Sequence, residues 1–158
     1  PSNRSRRMVV DKIVRIAVIN GPNLGLLGRR EPEVYGTDTL DDVNGAVESL
    51  GSELGVEVET FQSNSEGAIL DFLEEASHRV DGFLVNPGGL THTSVALRDG
   101  LVGVGLPFVE VHLSNTIARE SFRRHSYLSP VASGVVLGFG SQGYLLALRG
   151  LVARITGE

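Results

Sequence analysis

Short runs of apolar, mostly β-branched residues alternate along the chain with stretches where apolar residues recur every three or four positions. Ile13 to Ile19 is the first such run, and Asn20-Gly21-Pro22 halts it, so it reads as a strand. Leu40, Val43, Val47, Leu50 and Leu54 then repeat at helical spacing, with Asp38 or Thr39 at the N-cap and Gly55 closing the helix. Val56 to Phe61 alternates as a second strand, and Ile69, Phe72, Leu73, Ala76 and Val80 form the next helical stripe. Phe83-Leu84-Val85 is a short buried strand broken by Asn86-Pro87-Gly88-Gly89. Ser94 to Leu101 reads as a helix, Phe108 to Val111 as a fourth strand, and Ile117 to Phe122 as a short helical turn. Val135-Val136-Leu137 makes the fifth strand, ahead of a terminal helix carrying Leu145, Leu148, Val152 and Ile155.

Strands that are apolar on both faces, each followed by a helix, belong in a parallel sheet covered on both sides. Five of them in 158 residues predict a single α/β domain of flavodoxin-like, doubly wound architecture, three layers deep. Residues 12–158 are expected to form it, behind a flexible polar lead-in of residues 1–11. Ligands in such sheets bind beyond the carboxyl ends of the strands. Asn20, Asn86 and His112 each stand there.

Composition narrows the chemistry. The absence of cysteine excludes a disulfide scaffold, a thiolate nucleophile, iron–sulfur clusters and cysteine-ligated zinc, and it fits a reducing, cytoplasmic setting. A net charge of −5 argues against a nucleic-acid surface, and no apolar run approaches the roughly 20 residues of a membrane span. Of the 14 basic residues only Lys12 is lysine, so a buried Schiff-base lysine has almost no candidate. The 20 glycines fit tight joints between strands and helices. Gly138-Phe139-Gly140-Ser141-Gln142-Gly143 matches a dinucleotide-binding glycine pattern, but no later strand carries the acidic residue that would hold a ribose. Close packing of the last strand on the last helix is the better reading. No histidine–carboxylate spacing suits a metal, and no cofactor is expected.

Three segments carry candidate chemistry. The first is the 17-residue connection Asn20–Gly36, long where 2 to 6 residues are usual, and it brings Arg29, Arg30 and Tyr35. With Arg30 near the Tyr35 hydroxyl, a phenol that ordinarily ionises at about pH 10 gains a cation that favours its phenolate, a base strong enough to take a carbon-bound proton beside a carbonyl. The second is Asn86 through Ser94, where Asn86 offers both donor and acceptor to a hydroxyl and amides open toward a helix N-terminus. The plain alternative makes Asn86 a turn residue and Ser94 an N-cap. The third is Glu110 through Asn115 with Arg119 and Arg123 beyond. Strand alternation puts Glu110 and His112 on one side, and Arg119 and Arg123, four apart on the short helix, suit a carboxylate. Asp99, five residues into its helix, reads as a surface acid. Together these describe acid–base chemistry on a small polyhydroxy acid.

The segments Ile19-Asn20-Gly21-Pro22-Asn23-Leu24, Arg30 through Tyr35-Gly36, Phe61-Gln62-Ser63-Asn64, Asn86-Pro87-Gly88, Thr91-His92-Thr93-Ser94, Glu110-Val111-His112-Leu113-Ser114-Asn115 and Arg123-Arg124-His125-Ser126 resemble, in order, type II 3-dehydroquinate dehydratase. The resemblance runs from about residue 13 to residue 151. It implies a flavodoxin-like fold and trans-elimination of water from 3-dehydroquinate through an enolate, in the shikimate pathway to aromatic amino acids or in quinate breakdown. It makes Tyr35 the base, Arg30 the cation that assists it, and His112, with Glu110 beside it, the acid that protonates the departing hydroxyl. Asn23 becomes a holder of water or the enolate oxygen. Asn86, Gly88, His92, Leu113, Ser114, Arg119 and Arg123 become substrate contacts, and Asp99 reaches a neighbouring subunit's site in a dodecamer built of trimers. A second reading with the same fold is a non-catalytic module for a nucleotide or flavin, favoured by the glycine-rich final turn.

Overall fold

The computed structural model describes residues 12–158; the lead-in expected over residues 1–11 lies outside the described residues. Five parallel strands, β1 (Arg15–Asn20), β2 (Glu57–Gln62), β3 (Gly82–Asn86), β4 (Phe108–His112) and β5 (Gly134–Leu137), form one sheet in the order β2-β1-β3-β4-β5. The order in which strands are added switches sides between β1 and β3, which makes the doubly wound, flavodoxin-like arrangement expected from the sequence. The helices are α1 (Pro32–Tyr35), α2 (Leu40–Leu54), α3 (Glu66–Ala76), α4 (Val95–Val104) and α5 (Gln142–Thr156).

Strand alternation builds two cores. Ile16, Val18, Leu84, Val109 and Val111 meet Val43 and Val47 of α2 and Tyr144, Leu148 and Leu151 of α5 on one face. Ala17, Ile19, Phe83, Val85 and Phe108 meet Ile69 and Leu73 of α3 and Leu97 and Leu101 of α4 on the other. The same parity decides where polar strand ends go. Asn20 and Asn86 fall on the α5 side, whereas Glu110 and His112 turn to the opposite face. In register, Asn20 pairs with both Gln62 and Asn86, and Val85 pairs with Glu110, so His112 stands one residue beyond the level of Asn86.

Local signals set the helix ends. Thr39 and Asp42 form a reciprocal capping box on α2, while Ser65 and Ser94 cap α3 and α4 with their side chains. Some boundaries differ from expectation. The first strand begins at Arg15, leaving Ile13 half exposed, and α3 stops at Ala76, so Val80 is buried in the loop beyond it. The short helix predicted over Ile117 to Phe122 is instead two single turns, Thr116–Ala118 and Ser121–Arg123, parted by extended backbone at Arg119 and Glu120. A helix that short gains too few backbone hydrogen bonds to hold together, and Asn115 satisfies the Ile117 N–H locally.

Two glycines let the strand-end loops approach. A Cβ on Gly21 would lie 2.5 Å from the Pro87 carbonyl oxygen, and one on Gly88 would lie 2.8 Å from that of Pro22. The β1 and β3 loops therefore cross backbone to backbone, with the Gly21 N–H donating to the Asn86 carbonyl at 2.8 Å.

Candidate active site

A cleft of about 250 Å³ opens over the carboxyl ends of β1, β3 and β4, lined by Asn23, Leu24, Leu27, Arg30, Tyr35, Asn86, Gly88, Gly89, His92, His112, Leu113, Ser114, Thr116, Arg119 and Arg123. Of the residues given a catalytic or substrate-contact role by the resemblance, all but Glu110 and Asp99 line it. Glu110 lies beneath, bonded to His112, and Asp99 points to solvent on α4, away from this cleft.

The connection after β1 folds over the cleft. A turn at Leu24–Leu26 and the four-residue α1, opened by Pro32, carry Tyr35 inward until it is half-buried. Asn23 takes a left-handed conformation (φ 71°) that asparagine tolerates, and its N–H donates to the Asn64 side chain at 3.0 Å. The hydroxyl's neighbour differs from expectation. Arg119 Nη1 donates to the Tyr35 oxygen at 2.9 Å and to Ser114 Oγ at 3.2 Å, whereas the Arg30 guanidinium lies over the ring, 4.9 Å from its centre. Arg119 also faces the ring at 5.1 Å, so two cations flank one phenol.

His112 Nε2 is 2.5 Å from Glu110 Oε2, and the pair is almost fully buried. Burial pushes the Glu110 carboxyl up, but hydrogen bonds and charge from His112, together with the Ser129 and Thr91 hydroxyls, hold it below the ordinary glutamate range. The carboxylate therefore fixes the proton on Nε2 and leaves Nδ1 as the nitrogen without a partner among the described residues. His92 is oriented similarly: its Nδ1–H donates to the His125 carbonyl at 2.7 Å, leaving Nε2 toward the cleft.

Asn86 is bonded within the strand-end turn and also borders the cleft. Its Nδ2 donates to the Tyr144 hydroxyl at 2.8 Å and its Oδ1 accepts from the Gly88 N–H at 3.2 Å, yet it still borders the cleft with capacity for further bonds. The Tyr144 hydroxyl donates onward to Asn20 Oδ1 at 2.6 Å. The Leu113 and Ser114 N–H groups have no acceptor among the described residues. Arg119 and Arg123 share a wall as expected, but across two turns rather than along one helix. Glu120 accepts from Arg123 Nε at 2.7 Å, leaving that guanidinium's outer edge unpaired among the described residues. Three arginines thus gather at one cleft in a chain of net negative charge, a field that draws in an anion.

Sequence reasoning overlooked Tyr144, concealed inside an ordinary helical stripe, and Ser129, which has no motif of its own. In the glycine-rich final turn, Gly138 and Gly140 take positive φ, and buried Gly143 packs near Val136 and Val111. Among the described residues no three histidine or acidic side chains cluster to hold a metal ion, and no helix is long and apolar enough to cross a membrane.

The profile of the class II dehydroquinase family matches residues 14–152. The chain belongs to the class II dehydroquinase family. It is 53% identical over 144 residues to a 3-dehydroquinate dehydratase from Gloeobacter violaceus, covering 91% of this chain and 90% of the relative. It is 52% identical over 142 residues to catabolic 3-dehydroquinase 2 of Aspergillus flavus, covering 90% and 95%. The crystal structure of a type II dehydroquinase from Butyrivibrio crossotus superposes with a TM-score of 0.87 at 42% identity, covering 89% of this chain and 98% of that one. Membership sets aside the non-catalytic flavin or nucleotide module.

Proposed function

We propose that this chain is a 3-dehydroquinate dehydratase that eliminates water from 3-dehydroquinate to give 3-dehydroshikimate. The observation that carries the reading is one cleft lined by a tyrosine between two guanidinium groups and by a histidine backed by a buried carboxylate. Tyr35, as phenolate, removes the proton on the carbon next to the ketone, and the electron pair moves to the ketone oxygen as an enolate. Arg119 and Arg30 stabilise the phenolate charge. Asn23 steadies the enolate oxygen directly or through a water.

The enolate then expels the β-hydroxyl as His112 donates a proton to it from Nδ1. Because Nε2–H is committed to Glu110, Nδ1 carries a proton only in the doubly protonated ring, whose charge the carboxylate offsets. The tyrosine's proton must return to the imidazole or solvent before the next turnover. Arg123, with its outer nitrogens unpaired among the described residues, takes the substrate carboxylate, aided by the Leu113 and Ser114 amides. Asn86, Gly88 and His92 form the corner for the ring hydroxyls. A cytoplasmic dodecamer of trimers, with Asp99 serving a neighbouring cleft, belongs to the same proposal and is supported by Asp99 being exposed and not lining its own cleft.

The test is turnover: purified protein mixed with 3-dehydroquinate should generate the absorbance of a conjugated enone and survive borohydride in the presence of substrate. No enone, or inactivation by borohydride, contradicts the reading.

A further inference from the structure

The Glu110 carboxylate receives four side-chain donors. Oε2 accepts from His112 Nε2 at 2.5 Å and from Thr91 Oγ1 at 3.0 Å, while Oε1 accepts from Ser129 Oγ at 2.7 Å and Ser126 Oγ at 3.0 Å. The Ser126 oxygen itself accepts the N–H groups of Leu128 and Ser129, both at 3.1 Å. Those two bonds occupy its lone pairs and leave its one hydrogen for the carboxylate. Thr91, 2.9 Å from Ser126, then has Glu110 as its acceptor. An ionised carboxylate offers about four acceptor positions, and all are filled. A protonated one would need to give up an acceptor position and point a new donor at hydroxyls already committed to donating.

The three hydroxyls arrive from two segments that also carry substrate-facing side chains. Thr91 precedes His92 in the turn after β3, and Ser126 and Ser129 follow Arg123 in the loop before β5. The segments are bonded to each other through Tyr127 N–H to the Thr91 carbonyl at 2.9 Å and His92 to the His125 carbonyl at 2.7 Å. We infer that Thr91, Ser126 and Ser129 are positioning residues of the acid: their hydroxyls fix Glu110 as a carboxylate, and Glu110 in turn holds the His112 Nε2–H so that Nδ1 is the nitrogen aimed at the departing hydroxyl. This inference rests on the proposed role of His112 and extends it to hydroxyls that do not line the cleft.

Ser129→Ala removes the 2.7 Å bond and keeps Ser126, whose backbone bonds shape the loop; Ser129→Thr restores a hydroxyl. The assay follows 3-dehydroquinate carrying deuterium on the carbon that loses its proton. With the acid misaligned, expulsion of the hydroxyl slows, the enolate returns to substrate, and deuterium washes out into solvent from unreacted substrate. Ser129→Ala is expected to lower kcat roughly 10- to 100-fold with KM nearly unchanged, to show wash-out, and to recover toward wild type in Ser129→Thr. An unchanged kcat, or a lower kcat without wash-out, overturns the inference. His112→Asn, run in parallel, separates the two claims: wash-out in His112→Asn but not in Ser129→Ala defeats the inference alone, whereas wild-type turnover in His112→Asn defeats the reading on which it rests.

Discussion

Replacing Tyr144 with phenylalanine isolates a polar bridge that holds the floor of the cleft. The ring is fully buried and would remain so; only the hydroxyl leaves. That hydroxyl is the partner of Asn86 Nδ2 at 2.8 Å and of Asn20 Oδ1 at 2.6 Å, and both asparagines are buried. Asn20 Nδ2 already has no partner among the described residues, so the variant strips this side chain of its hydrogen bond from Tyr144 as well. Each buried polar atom left unpaired costs about 1–3 kcal/mol. The vacated oxygen is smaller than a water's share of the liquid, about 30 Å³, so water does not replace it without repacking. Two orphaned atoms therefore predict a loss of about 2–6 kcal/mol, or a fall in Tm of about 2–4 °C for each kcal/mol in a domain of this size. Burial pushes the Tyr144 hydroxyl above the ordinary phenol range, so the bridge stays neutral and the loss should be equal at roughly pH 6 and pH 9. Urea unfolding of wild type and Tyr144→Phe at one protein concentration measures it, and the KM for 3-dehydroquinate should rise as Asn86 loosens. A loss below about 0.5 kcal/mol, within the range of ordinary surface substitutions, refutes the reasoning.

Arg119→Ala should lower kcat more than Arg30→Ala, because only Arg119 bonds the Tyr35 oxygen while Arg30 faces the ring; roughly 10- to 100-fold against about tenfold is expected, and steady-state kinetics of the two variants decides. Gly21→Ala should destabilise by about 1–3 kcal/mol in urea unfolding, since the new methyl meets the Pro87 carbonyl of a loop that cannot retreat without moving Asn86. Glu110 predicts a pH effect of definite sign. Its carboxyl is held below the ordinary range in the folded chain, so between that value and about pH 4.3 the unfolded state binds more protons. Its contribution is complete above about pH 4.3 and is lost as pH falls through the folded value. Asp42, Asp81 and Glu120 are shifted the same way, so the gap between wild type and Glu110→Gln, which should narrow as the pH falls below the ordinary glutamate range, is the quantity to measure.

The fold was legible because a parallel sheet buries both faces of its strands. Ile16 to Ile19 and Phe83 to Val85 had to be apolar throughout, and the helices between them had to carry a stripe. Strand parity likewise puts Glu110 and His112 on one side of β4. What escaped the sequence depended on loop paths, which no periodicity encodes. Arg30 is five residues from Tyr35 and Arg119 is 84 away, yet the distant one bonds the hydroxyl, because a loop after β4 folds back under the loop after β1. The hydroxyls around Glu110 and the Tyr144 bridge are of the same kind. Serine and tyrosine are common in turns and helices, and only the three-dimensional meeting of Ser129 with β4, or of α5 with the ends of β1 and β3, gives them meaning.

The central claim is that Tyr35 takes the proton from carbon. The most direct measurement is loss of deuterium from labelled 3-dehydroquinate in Tyr35→Phe, with turnover and circular dichroism recorded on the same sample. The account predicts that exchange and turnover both fall by about 10²- to 10⁴-fold while the fold and substrate binding persist. Deuterium leaving at the wild-type rate from a folded Tyr35→Phe enzyme would contradict it.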